Sequence, residues 1–446
     1  MGRVMSENGA RVRRPQRDQL YWDMVDLDSQ IEPDHPARVV WAFVQGLDLS
    51  DLYAAIKARD DIAGRPATDP QLLLALWLYA TLEGVGSARE LERLCRVHPA
   101  YRWLCGGVSV NHRVLGEFRA GHGAVLERVL VESVAGLMAE GLVALEEMVV
   151  DGTKVMASAG RGSFRQEDGL ERYERAARQR VEWLRRELES DSSASAARRR
   201  AAGERAALAV AGRAAAARAK LAALQQEKAE RSKRHAKQEQ DKDAPKVSTS
   251  DPQARIMQMP DGGFRPAFNV IVAATTGSQV VLAVTPTERR NDSGLAVPMV
   301  ETVERSYRRR PARLLVDSKL VAQDEIVALA GHPVAPIEVY SPPPADKADA
   351  KPASVRKREA RRRQEPAALQ AWRARMASED GKTVYKRRGQ VETVNADFKN
   401  HGMGRFVLRG LDKVRCEALL HAIAHNIRRG IALGCRRWSP PALAAA

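Results

Sequence analysis

Between residues 165 and 246 the chain is written almost wholly in Ala, Arg, Glu and Lys, and this interruption constrains the fold more than any other feature. Short apolar runs suited to buried strands lie on both sides of it. "LEEMVVDGTKVMASAG" (145–160) precedes it, and "FNVIVAAT" (268–275), "QVVLAVT" (279–285), "RLLVD" (313–317) and "IEVY" (337–340) follow. A sheet built from these runs must close across the insertion. The first run ends in Asp151 and Gly152, the pattern of a buried strand with a polar residue at its tip, and "TGS" between the next two is a hairpin signal. Helices are predicted near 294–308 and over 322–331. Inside the insertion Val181, Leu184 and Leu188 keep helical spacing, which predicts extended helices, best arranged as a hairpin that is either simply solvated or follows a DNA backbone. A second charged stretch, 342–370, opens with a proline-rich loop and reads as linker.

Upstream, residues 20–145 read as helices throughout. "DPQLLLALWLYATLEG" starts on Asp-Pro, and "SARELERLCRVH" starts on Ser87 with Glu90 at the capping-box spacing. Gly106 and Gly107 break the chain before a helix resumes after Asn111. Helix, short break and basic helix fits a helix-turn-helix and a plain helical bundle equally well. The organisation expected is a helical DNA-binding region over 1–144, a first core segment at 145–164, the insertion over 165–250, the remainder of an α/β core over 251–434, and a tail at 435–446.

Charge narrows the partners. Lys and Arg number 72 against 56 Asp and Glu, a formal charge of +16, which suits a partner rich in phosphate. The longest apolar stretch, "LLLALWLYATL" (72–82), falls short of the roughly 20 residues that span a bilayer. No apolar segment follows the N-terminal cations, so a cytoplasmic, nucleoid-associated location and no membrane partner are expected. Four cysteines are too few for a disulfide framework, and Cys95, His98, Cys105 and His112 match no common zinc spacing. His421 and His425 stand at i and i+4 with no third ligand evident. Asp292 reads as a helix cap, and Asp324 and Glu325 as first-turn helix residues.

The stretch "YKRRGQVETVNADFK" (385–399) carries the chemistry. On a helix at about 100° per residue, Tyr385, Arg388, Glu392 and Lys399 share one face, beside an apolar stripe of Val391, Val394 and Phe398. Gly389 weakens the first turn by about 1 kcal/mol relative to Ala. Asp151 and Asp317 each close a predicted strand, and a helix crossing the sheet would bring Glu392 to them. Three clustered carboxylates repel unless cations separate them, and Mg²⁺, with Mn²⁺ as a substitute, is the hard cation that oxygen ligands prefer. Two such ions can drive an in-line displacement at a phosphodiester. Arg388 and Lys399 then suit phosphate, and Tyr385 suits a base or the backbone.

Tyr385, Arg388, Glu392 and Lys399, separated by two, three and six residues, resemble the Tyr-Arg-Glu-Lys signature of DDE transposases encoded by bacterial insertion sequences. "DHPARVVWAFVQGLDLSDLY", "VDGTKVMASAG" and "RGLDKVRCEALLHAIAHNIRRG" are similar to segments of that family, and the likeness extends over about residues 14–430. The resemblance implies a ribonuclease-H-like mixed sheet flanked by helices, with an all-α N-terminal domain and Asp151, Asp317 and Glu392 as the catalytic and metal-binding triad. It implies double-stranded DNA partners, terminal inverted repeats and target, and a homo-oligomer assembled on DNA. One departure stands out: after the second aspartate the family favours a small residue, Gly and an aromatic, where this chain has Ser318, Lys319 and Leu320. The alternative reading is therefore a transposase-derived DNA-binding protein without catalysis.

Overall fold

The computed structural model describes residues 26–58, 66–190, 194–234, 244–344 and 352–438. The N-terminal stretch up to 25, residues 345–351 of the charged stretch, the last eight residues and the side chain of Leu188 lie outside the described part; the rest of that stretch, expected as linker, is largely helical, over Pro352–Arg363 and from Ala367 onward.

Seven helices come first: α1 (Pro36–Gln45), α2 (Ser50–Ala54), α3 (Pro70–Leu82), α4 (Ala88–Val97), α5 (Pro99–Cys105), α6 (His112–Gly121) and α7 (Gly123–Ala139). Helix α3 begins where expected, with Pro70 at its first position and the Asp69 carboxylate accepting from the Gln71 N–H at 2.8 Å. Every residue of it except Gln71 is buried. Only half of the capping box at α4 forms: Ser87 Oγ accepts from Glu90 N–H, while the Glu90 carboxylate pairs with Arg93 instead. Asn111 caps α6 by accepting from the N–H groups of Arg113 and Val114.

The insertion folds as a helical hairpin. Helix α8 (Glu167–Ser190) and helix α9 (Ala194–Arg234) run antiparallel, as the pairs Gln225–Glu167, Arg218–Glu174 and Arg185–Glu204 require. Val181, Leu184 and Ala207 form one small apolar cluster along it. Leu170, Ala217, Leu221 and Leu224 form a second against Val247 at the base.

Strand β1 (Glu147–Met156) comes before the hairpin; β2 (Phe164–Arg165) and β3 (Val247–Ser248) close its neck; β4 (Arg255–Gln258), β5 (Phe264–Thr275), β6 (Val281–Thr287), β7 (Arg313–Val316) and β8 (Glu338–Tyr340) follow. In the main sheet β5 pairs antiparallel with β1 on one edge and with β4 and β6 on the other, while β1 pairs parallel with β7 and β7 parallel with β8. The sheet thus closes across the insertion, and the β5–β6 hairpin turns where "TGS" signals it. Strand β4 and the early start of β5 at Phe264 were not legible in the apolar runs.

One expectation is corrected. Asp151 does not end its strand: β1 continues to Met156, because β5 is long enough to pair with it from Thr275 down to Ala267. The apolar run stops at Val150 because its parallel neighbour stops there, the last register pair being Val150 with Val316.

Helices α10 (Ala296–Tyr307) and α11 (Gln323–Ala330) flank the sheet near the predicted positions, with Asp324 and Glu325 in the first turn of α11 and Glu325 Oε2 accepting from the Ala322 N–H. Then come α12 (Pro352–Arg363), α13 (Ala367–Ala377), α14 (Glu379–Lys386), α15 (Gln390–Phe398) and α16 (Leu411–Ala432). One continuous apolar cluster runs from Ile31 through the sheet to Trp438, and α16 lies at its centre against α3, α6, α7 and β6.

Asn426, fully buried on α16, joins these layers: its Oδ1 accepts from the Val281 N–H, and its Nδ2 donates to the Val281 carbonyl and to Ser133 Oγ. Asn426→Leu is expected to destabilise the protein by about 2–4 kcal/mol, since it leaves two buried backbone groups unpaired. The check is a lower urea midpoint at unchanged slope.

Candidate functional site

The parallel ladder of β1 and β7 ends at Val150 and Val316, so the next residues in the two strands, Asp151 and Asp317, emerge side by side. Antiparallel pairing on the other edge, Asp151 with Val272, keeps Asp151 inside the sheet. Its side chain retains only 20% exposure. Asp317, just past the end of β7, has one carboxylate oxygen turned back on its own loop, where it accepts from Ser318 N–H at 2.6 Å and Ser318 Oγ at 3.2 Å.

Glu392 arrives from α15. The stretch 385–399 is not one regular helix: α14 ends at Lys386, Arg387–Gly389 form a tight 3₁₀ turn, and α15 takes over at Gln390. Gly389 is the weak point that places the turn there. Val391, Val394 and Phe398 are fully buried, which clamps α15 to the core. At the far end Lys399 opens a wide π turn in which Gly402 adopts φ 98°, packed against the Gly84 backbone.

Arg388 sits between the acids. Its guanidinium approaches Asp151 Oδ1 at 3.7 Å and Glu392 Oε1 at 3.1 Å, and its charge lies 6.0 Å from the Tyr385 ring. Glu392 is mostly exposed, at 65%. Among the described residues no three His, Cys, Asp or Glu stand close enough to hold a metal ion in this arrangement, because the guanidinium separates the carboxylates. The donors themselves, aspartate, glutamate and amide oxygens around a cleft, are the hard oxygen type that Mg²⁺ takes. That cleft encloses about 660 Å³ and is lined by Asp151, Thr153, Lys154, Glu392, Asn395 and Lys399, with Gln258 to Pro260 opposite.

Electrostatics mark the same place. Burial pushes the Asp151 carboxyl above the usual range; Arg388 pulls it back in part, while Asp292 and Glu392 add to the rise. Burial likewise raises the Tyr385 phenol, with Arg388 opposing and the Asp317 and Asp151 carboxylates reinforcing. A fourth acid, Asp292, is therefore close by. It was expected to cap a helix, but no side-chain cap forms at the start of α10. Its carboxylate instead accepts from Lys154 Nζ at 3.0 Å and from the buried Asn269 amide. It lies over Gly152, where a Cβ would come within 2.7 Å of Asp292 Oδ1. A buried amide and a lysine offer a carboxylate more than a helix start does.

The histidines sit apart from the cleft. His425 Nδ1 meets Asp397 Oδ2 at 2.6 Å, and Arg428 and His401 converge on the same carboxylate; against the opposing effect of burial, His425 and Arg428 hold it well below its usual range. His421 is enclosed, and burial pushes it down to about 3. His112 pairs with Glu92 at 2.6 Å.

Two family models match the chain. Residues 25–121 match "Transposase domain (DUF772)", and residues 347–431, which include Tyr385, Arg388, Glu392 and Lys399, match "Transposase DDE domain". Both matches indicate an insertion-sequence DDE transposase. No curated protein and no solved structure matches it. The second matched segment does not reach Asp151 or Asp317, so those two acids rest on the sheet geometry alone. No described helix is long and apolar enough to cross a membrane.

Lys154 and Asn395 were missed by sequence reading. Each stands three residues after an acid already singled out, a spacing that on α15 sets Asn395 one turn beyond Glu392.

Because burial raises the Asp151 pKa above its ordinary 3.8, ionising it weighs against the folded state at neutral pH. Asp151→Asn is expected to raise the urea midpoint of the cation-free transposase at pH 7. The gain should fade as pH falls and vanish below 3.8, where the carboxyl is protonated both folded and unfolded. A midpoint at pH 7 that does not move would contradict this account.

Proposed function

We propose that this transposase cleaves DNA at the ends of its element and joins the freed 3′-hydroxyl to target DNA, with Asp151, Asp317 and Glu392 as a metal-binding catalytic triad of the Tyr-Arg-Glu-Lys subgroup. The observation that supports the reading is the register: Val150 and Val316 are the last parallel pair, so Asp151, within β1, and Asp317, just past β7, take adjacent positions, and Glu392 is tied to Asp151 through one arginine. The strand order of β6, β5 and β1 antiparallel, extended by β7 and β8 parallel, with short β4 added on β5, supports a ribonuclease-H-like core. The helical region up to residue 144 is assigned to end recognition, and two or more subunits to synapsis.

When bound, two Mg²⁺ ions, or Mn²⁺ in their place, supply Lewis-acid activation of an attacking oxygen and stabilise the leaving one. The chain does the rest. The carboxylates of Asp151, Asp317 and Glu392 would hold the cations, and Asp151, desolvated, would gain most from a neighbouring positive charge. Arg388 holds its guanidinium between Asp151 and Glu392, and its role is to bind a DNA phosphate brought to these acids. Lys399, which lines the same cleft two turns beyond Glu392, neutralises a second phosphate as a point charge, and Tyr385 offers its ring to a base or sugar. Attack in line at phosphorus forms one P–O bond as another breaks, so no covalent protein intermediate is needed.

Labelled element-end DNA incubated with the protein and Mg²⁺ tests this. Asp151→Ala and Glu392→Ala are expected to lose cleavage and joining while end binding holds, since removing an acid does not weaken attraction to phosphate. Arg388→Ala is expected to weaken binding and lower the salt slope by about one. Binding without cleavage by the unaltered protein would refute the catalytic reading, and cleavage without joining would reduce it to a nuclease.

A further inference from the structure

Asn395 is buried at 7% exposure, yet it lines the cleft beside Asp151 and Glu392. Its Nδ2 donates to Asp151 Oδ2 at 3.3 Å, and its Oδ1, also buried, has no hydrogen-bond partner. An ionised carboxylate only accepts, so the amide nitrogen must be the atom that faces it. This fixes which way the amide points and leaves the oxygen unpaired. Buried amide oxygens rarely go without a partner, and an orphan marks a place where water or an ion belongs.

Resting on the metal-site reading above, we propose that Asn395 is the positioning residue of that site. Its amide nitrogen holds Asp151 Oδ2, so that Oδ1, the oxygen now facing Arg388, is the one presented to a divalent cation. The orphan Oδ1 accepts a hydrogen bond from water in the cation's shell. The local structure favours this assignment over a packing role. Val391, Val394 and Phe398 already anchor α15 and are fully buried, and Asn395 sits at the edge of that buried face, between Val391 and Glu392, turned to the acid. A residue that only filled space there would be apolar, because an unpaired buried amide oxygen costs about 1–3 kcal/mol. Fixing the orientation of a metal-binding carboxylate characteristically governs metal affinity by 10- to 100-fold.

The test is Mn²⁺ binding to the full chain without DNA, followed by the paramagnetic resonance signal of free Mn²⁺, for the unaltered protein, Asn395→Leu, Asn395→Ser and Asp151→Ala. Both Asn395 variants are expected to bind Mn²⁺ roughly 10- to 100-fold more weakly. In cleavage assays they should need correspondingly more Mg²⁺ for half-maximal rate, with end-DNA affinity unchanged. Asn395→Leu keeps the volume and removes both polar atoms; should it fail to fold, Asn395→Ser decides, since its hydroxyl is too short to reach Asp151. If a folded Asn395 variant binds Mn²⁺ as the unaltered protein does while Asp151→Ala does not, the positioning role is wrong and the metal site stands. If Asp151→Ala also binds normally, the metal-site reading itself fails.

Discussion

The unequal length of the two ladders flanking β1 is the constraint on which the site depends. On one edge β5 pairs with β1 as far as Met156; on the other, β7 leaves after Val316. Asp151 falls at the step. It is held rigidly by a strand still paired on one side and opened to a cleft on the side where pairing has ceased. Had both ladders ended together, the aspartate would sit in a mobile turn and remain solvated. Had both continued, it would be sealed in the sheet. The step desolvates the carboxyl, which raises its pKa, while leaving room for Arg388 and Asn395 to reach it.

The second requirement is that α15 be placed accurately above that step, and this is met from below. Asp397, one turn past Val394 and pointing away from the cleft, is gripped by His425 and Arg428 of α16 and by His401 of the π turn. His425 meets Asp397 with Nδ1 and the Gln279 carbonyl with Nε2, so one imidazole links α15, α16 and the β5–β6 turn. Interactions of this partly buried, charge-assisted kind are stronger than surface ion pairs. They fix the height and rotation of the helix carrying Glu392, although none of these groups faces the cleft.

Much of this was legible in the chain. The apolar runs located the sheet, Asp-Pro and Asn111 located helix starts, and the spacing of Tyr385, Arg388, Glu392 and Lys399 singled out a stretch that falls inside the DDE-domain match. What escaped follows from the same physics. Asp292 resembled a cap because capping depends on the sequence nearby, whereas its real partners, Lys154 and Asn269, come from two other strands. The end of β1 was misread because hydropathy reports burial, and burial changes where β7 departs even though pairing with β5 goes on. Asn395 looked like an ordinary helical polar residue, since an orphaned oxygen is a property of three dimensions. The break at Gly389 was foreseen as a weakness, but its 3₁₀ form depends on the packing of α14 and α15.

The helical hairpin leaves and re-enters the core at almost the same point. Phe164 pairs with Ser248 and Arg165 with Val247, so the two-stranded neck formed by β2 and β3 clasps the excursion at its root. Ser163 Oγ against Ser248 Oγ and Lys220 against Glu288 are further ties at this end. Among the described residues these ties lie at the root, so adding or deleting helical turns beyond the neck is expected to shift no residue in the main sheet. The arm's reach can thus drift over generations, or be trimmed at the bench, independently of the geometry around Asp151.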